Sequence, residues 1–234
     1  LGDVYKRQVW VSPSNPTGTV YTKEEAEIIF EWAFKNNIWI ISDELYEHLV
    51  YEGEKTPSPA IYDPELKNTI VVNGVAKAYA MTGWRVGWII ANDEVISIAK
   101  KIQSHATSNV SNLSQIAATS ALQNGLEETN IMKEAFNKRR LSAFDVFNNI
   151  DNIKIARPNG AFYLFPDISY YCNNKIKNVS NSIEFCDWLL EEHYIAFIPG
   201  EVFGAEGYFR CSYALSENEL SEGLKRFTEA VKDL

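Results

Sequence analysis

Residues 69–87 read Thr69-Ile70-Val71-Val72-Asn73-Gly74-Val75-Ala76-Lys77-Ala78-Tyr79-Ala80-Met81-Thr82-Gly83-Trp84-Arg85-Val86-Gly87. Thr69 to Asn73 is a β-branched, apolar run of strand length, closed by a glycine at a turn. Lys77 follows in a tight, mostly apolar loop. An amine desolvated in such a loop is disfavoured as an ammonium, and the neutral amine can attack an aldehyde to form a Schiff base. Taken alone, Lys77 also fits an ordinary surface lysine. Thr82-Gly83-Trp84-Arg85, which puts Arg85 eight residues after Lys77, leads into a second apolar run, Val86 to Ala91. Gly83 permits a close turn there. Arg85 stands at the start of that run, where a guanidinium suits a phosphate through two parallel hydrogen bonds. The alternative is a plain sheet-edge cation.

Upstream of this segment the same rhythm holds. Val9 to Val11 is a short strand candidate, and Ile38 to Ser42 reads as a buried strand. Between them Thr22 and Glu25 form a capping box that opens a helix running to about Asn36. Strand, helix and strand in this order predict an α/β fold with a mostly parallel sheet covered on both faces. In such sheets ligands bind beyond the carboxyl ends of the strands. Asp43 stands at one such end, where it can face a cation or a protonated ring nitrogen, or simply cap the next turn. Tyr46, three residues later, falls on the same side of a helical turn. Ser12-Pro13-Ser14-Asn15-Pro16-Thr17-Gly18 follows the first strand. Its prolines and glycine mark a turn, and Asn15 can donate a hydrogen bond into the same crevice.

Downstream, the chain reads as mainly helical from Asp93 to Ile150, with Asn124-Gly125 as its break. After Asp151 short strands are expected at Ile153–Ile155, Ala161–Phe165, Ile195–Ile198 and Tyr208–Tyr213, around a helix at Ser182–His193. Ser216 and Glu219 form a second capping box before a final helix. This texture predicts a small α+β domain, with the boundary between residues 145 and 146. Arg210 interrupts the β-like run at its end. It can bind a carboxylate or stand in solvent.

Composition excludes several classes. Acidic residues outnumber basic ones 31 to 22, giving a net charge of −9, which does not favour a nucleic-acid partner. The basic run Lys138-Arg139-Arg140 reads as a solvated helix face. Three cysteines without a CxxC pair, and three scattered histidines, point to no disulfide framework and no metal; a reducing, cytoplasmic setting fits them. No apolar run approaches the roughly 20 residues of a membrane helix. Leu1 to Gln8 reads as a polar lead-in that is not native.

Four stretches occur in the order and approximate spacing of the class I/II, fold-type I aminotransferases: Ser14-Asn15-Pro16-Thr17-Gly18, Asp43-Glu44-Leu45-Tyr46, Ala76-Lys77 through Trp84-Arg85, and Tyr208-Phe209-Arg210-Cys211-Ser212-Tyr213. Over residues 9–234 the chain resembles that family, in wording most like its bacterial aspartate aminotransferases. The resemblance implies pyridoxal 5'-phosphate as cofactor, held by Lys77 through a Schiff base. It implies Asp43 against the pyridine nitrogen, Asn15 and Tyr46 against the 3'-oxygen, Arg85 on the phosphate and Arg210 on the substrate α-carboxylate. The freed Lys77 amine then moves the substrate proton. Asn15 is also expected at the substrate, and Gly160-Ala161-Phe162-Tyr163 either lies near it or forms a core strand. Ala76 precedes the lysine where many relatives have Ser.

By the same resemblance, residues 1–145 are part of the cofactor-binding large domain with linking helices, and residues 146–234 are the small C-terminal domain. The implied reaction moves an amino group between an L-amino acid and a 2-oxo acid, in a homodimer when full length. A C–S or β-lyase on the same scaffold, or an aminotransferase-like domain of a transcription regulator, are the alternatives. Family members are longer at the N-terminal side, so the chain is expected to be truncated and, alone, poorly stable and inactive.

Overall fold

The computed structural model describes residues 7–173, 176 and 179–232. Of the expected lead-in Leu1–Gln8, residues 1–6 lie outside the described residues. Arg7 and Gln8 instead extend the first strand, β1 (Arg7–Val11). The chain divides into two compact units, Leu1–Ser14 with Val20–Met132, and Asn15–Thr19 with Lys133–Leu234.

In the first unit β1 is followed by α1 (Lys23–Lys35), β2 (Trp39–Asp43), β3 (Thr69–Gly74) and β4 (Gly87–Ile90). Both sides of the expected capping box form: Thr22 Oγ1 accepts from Glu25 N at 3.2 Å, and Thr22 N donates to Glu25 Oε2 at 2.9 Å. The sheet order is β1-β2-β3-β4. β1, β2 and β3 run parallel, and β4 turns back antiparallel to β3, with Gly74 opposite Gly87. α1 packs Ala26, Phe30 and Ala33 against Trp10 and Ile40 in one apolar cluster.

Cover of the sheet is less complete than expected. In β2 only Ile40 and Ser42 are fully buried, and β4 has no buried residue. The following helices are α2 (Asp93–Ala106), α3 (Asn112–Asn124) and α4 (Leu126–Asn148). Gly125 breaks the helical stretch where the sequence predicts it, and residues 107–111 add a second break. α2 buries none of its residues.

The second unit holds a three-stranded antiparallel sheet in the order β5-β7-β6, from β5 (Tyr163–Leu164), β6 (Ile198–Pro199) and β7 (Phe209–Ser212). The strand expected at Ile153–Ile155 is reduced to one isolated bridge, Lys154 to Asp167. α5 (Ser182–His193) spans the residues that the sequence predicts, and α6 (Glu217–Val231) begins at the expected Ser216–Glu219 capping box. Their core is aromatic: Phe197 stacks on Phe209 at 4.3 Å, and Phe147, Phe185 and Phe227 close around them. The division at Met132–Lys133 and the boundary expected at 145/146 both fall within α4.

One expectation is overturned outright. Arg140 is only 1% exposed, so the Lys138-Arg139-Arg140 run is not a solvated face. One side of α4 there carries Phe136 and Arg140 inward, leaving Lys138 outside. Among the described residues no helix is long and apolar enough to cross a membrane.

Candidate active site

The parallel register of β2 and β3 sets the first unit's candidate residues. Asp43 ends β2 opposite Val72 of β3, and β3 then delivers the chain into the Lys77 turn. Both groups thus stand at the carboxyl ends of adjacent parallel strands, the edge where ligands bind in open α/β sheets. Asp43 Oδ1 accepts from Leu45 N at 3.2 Å, so the carboxylate also caps the turn that follows. That turn buries Tyr46, whose ring centroid lies 6.0 Å from Lys77 Nζ.

The lysine turn is fixed from several sides. Ala80 N donates to Lys77 O at 3.1 Å, and Met81 N to Val75 O at 3.3 Å. Buried Thr129, in the first turn of α4, donates its hydroxyl to Ala78 O at 3.0 Å. Before the turn, Asn73 Nδ2 donates to Glu47 Oε1 at 2.5 Å, and Asn73 Oδ1 accepts from Gly74 N at 2.7 Å. Glu47 is ion-paired with Lys55. Neighbouring Glu44 accepts from Ser42 Oγ at 3.0 Å, and its burial raises the carboxyl pKa above the ordinary range despite that bond. Thr129 and Glu47 do not stand out in the sequence. A threonine in a helix gives no signal of a distant carbonyl, and Glu47 shows only as one more charge after Asp43-Glu44-Leu45-Tyr46.

The glycine that this corner needs is Gly74. A Cβ there would sit 2.9 Å from Val86 O and 3.1 Å from Gly87 Cα. Gly83, expected to permit the close turn, has open space around it. The tight geometry falls instead on Ala80 and Arg85, both with positive φ, 52° and 56°. Arg85 is exposed and its Nη1 donates to Thr82 O at 3.0 Å. Lys77 and Arg85 line one open cleft of about 900 Å³, with Asn73, Ala76 and Thr82, and with apolar walls from Val72, Val86 and Ile96. Asp43 and Tyr46 are not among the walls of that cleft. An amine and a guanidinium in one cleft suit a small ligand with an electrophilic carbonyl and an anionic group.

The second unit brings Asn15 and Arg210 together. Arg210 Nη1 donates to Asn15 Oδ1 at 2.8 Å. With Oδ1 so engaged, the donor Asn15 can offer a ligand is Nδ2. The guanidinium of Arg210 lies over the rings of Tyr163, at 4.6 Å, and Phe203, at 5.0 Å. Lying over two aromatic rings, it is partly desolvated and held by cation–π attraction. Arg210 Nε is buried with no hydrogen-bond partner. Such a guanidinium suits a carboxylate, which adds acceptors where they are short. The stretch 160–163 contributes Tyr163 to this place, while Ala161 is fully buried at φ 56°.

A family model described as aminotransferase class I and II matches residues 6–227. An aspartate aminotransferase of Streptomyces avermitilis is 45% identical over 228 residues, which are 96% of this chain and 56% of that protein. Among solved structures, an aromatic aminotransferase from Pyrococcus horikoshii superposes with a TM-score of 0.89 at 33% identity, over 97% of this chain and 60% of that one. An aspartate aminotransferase from Thermus thermophilus with maleate gives a TM-score of 0.86 at 37% identity, over 96% of this chain and 56% of that one. The chain therefore spans little more than half the length of the relatives it matches.

Proposed function

The chain belongs to the aminotransferase class I and II family, and from that premise we propose that it is the lysine-bearing part of a pyridoxal-phosphate aminotransferase acting on an aspartate-like L-amino acid and a 2-oxo acid. The observation that carries this reading is the pairing of Asp43 and Lys77 at the carboxyl ends of adjacent parallel strands, with Arg85 on the lysine's cleft.

The residues fit the cofactor. Its aldehyde needs an amine, its phosphate a guanidinium and its ring nitrogen a carboxylate; Lys77, Arg85 and Asp43 supply these three. Tyr46 and Asn15 would hold its 3'-oxygen. When bound, the protonated ring supplies an electron sink for charge left on the substrate α-carbon. Lys77 Nζ takes the proton from that carbon and returns it as general base and acid. Arg210 holds the substrate α-carboxylate and so orients the bond to be broken. Asp43 keeps a negative charge fixed where positive charge must persist.

The reading extends to a homodimer in the cytoplasm, where three buried free thiols are stable. It also holds that the isolated chain is inactive.

Borohydride trapping tests it. The full-length protein is incubated with pyridoxal phosphate, reduced and digested, and the modified lysine is found by mass spectrometry. Labelling of Lys77 is expected. Labelling elsewhere, or none, removes the reading. Lys77→Ala is expected to lower turnover by at least about 10²–10⁴-fold, the usual share of proton transfer. Product analysis separates the lyase alternative, which releases ammonia and pyruvate instead of a new amino acid.

A further inference from the structure

Arg140 stands in none of these roles, yet it is among the largest fully buried side chains of the protein. A buried guanidinium is unfavourable unless its donors are used. Here they serve two segments at once. Nε and Nη2 donate to Asn137 Oδ1 at 2.9 and 2.8 Å, one turn back on α4. Nη1 donates to the carbonyl of buried Pro158 at 2.6 Å.

Pro158 opens a corner that grips the Asn15 loop. Asn159 N and Gly160 N both donate to the carbonyl of Gly18, at 3.0 and 2.8 Å. The contact is close enough to require glycine: a Cβ on Gly18 would fall on the Cβ of Pro158 and 2.9 Å from Gly160 O, and φ is 69°. Past the corner, Ala161 O accepts from Tyr213 Oη at 3.2 Å, and β5 then presents Tyr163 beneath Arg210. From Gly18 the chain runs back to Asn15, whose Oδ1 takes Arg210 Nη1. Every one of these residues belongs to the second unit.

We propose that Arg140 is a positioning residue for the carboxylate subsite: through Pro158–Gly160 and Gly18 it fixes where Asn15 meets Arg210. The proposal rests on the reading that Arg210 takes the substrate carboxylate. A planar fork reaches two carbonyl-type acceptors in fixed directions, which neither an apolar side chain nor a lysine does.

The test compares Arg140→Met, Arg140→Lys and the milder Asn137→Ala with the parent, as full-length, cofactor-loaded proteins; Lys138→Met on the exposed side is the control. Two quantities are read: amide hydrogen exchange without substrate, and KM against kcat for L-aspartate. Arg140→Met is expected to speed exchange at Asn159 and Gly160 while residues 40–43 and 71–73 keep their protection. It should raise KM by about tenfold or more, the effect of a lost charge-assisted bond, with kcat nearly unchanged. Arg140→Lys should recover part of both effects, and Lys138→Met should change neither. If Arg140→Met does not fold, Asn137→Ala carries the same expectations in weaker form. Unchanged local exchange overturns the proposal. So does faster exchange spread evenly over the chain, or local loosening without a change in KM. A parent that shows no transamination removes the aminotransferase reading instead, and the exchange pattern still decides whether Arg140 holds the corner.

Discussion

Cys172, Cys186 and Cys211 are all buried, and burial pushes each thiol pKa up to about 12. An unfolded cysteine titrates near 8.5. The folded chain therefore keeps protons that the unfolded chain gives up, so this contribution is complete below about pH 8.5 and is lost as pH climbs toward 12. Two outcomes follow. A thiol reagent at pH 8 should label the native protein slowly, at the rate of opening, and all three positions at once in denaturant. The urea midpoint should fall as pH rises above about 8.5, less steeply in Cys211→Ala. The candidate residues were legible only jointly: Asp43, Lys77, Arg85 and Arg210 each fit an ordinary role alone, and the order and spacing of their four stretches singled them out. Their supports were not, since Thr129, Glu47 and Arg140 act on residues distant in the chain, and a basic run looks alike whether wet or buried.

Helices and strands show the same split between local and distant causes. Both capping boxes form as predicted, since their four residues carry the whole interaction. Thr22→Ala should cost about 1 kcal/mol in a denaturant melt. Burial differs between helices of similar pattern. α6 buries Leu220, Leu224, Phe227 and Val231, and α2 buries nothing. Phe227→Ala is accordingly expected to cost about 3–5 kcal/mol. Ile102→Ala on α2 should stay within about 0.5 kcal/mol in the isolated chain. A large effect of Ile102→Ala there would mean that α2 is covered in solution. The strand expected at Ile153–Ile155 shows the limit of local pattern: its apolar alternation is real, but only Lys154 finds a partner.

For the whole molecule, unburied apolar surface is the dominant fact. Ile98 and Ile102 on α2, with Leu113 and Ile116 on α3, are each more than half exposed. Exposed apolar groups of this size mark interaction surfaces or aggregation-prone ones. The isolated chain should therefore bind a hydrophobic dye while folded and associate as its concentration rises, both measurable by fluorescence and light scattering. A dye-negative monomer would contradict this. By itself the sequence determined most of the succession of strands and helices and the capped helix starts, and it singled out the candidate side chains, because each of these signals depends on neighbours within a few residues. Only the tertiary structure decided which glycine the lysine corner requires, that Arg140 is interior, that Asn15 and Arg210 share a hydrogen bond, and which faces are left uncovered. Those outcomes depend on strand register and on the packing of segments far apart in the chain, and local composition carries neither.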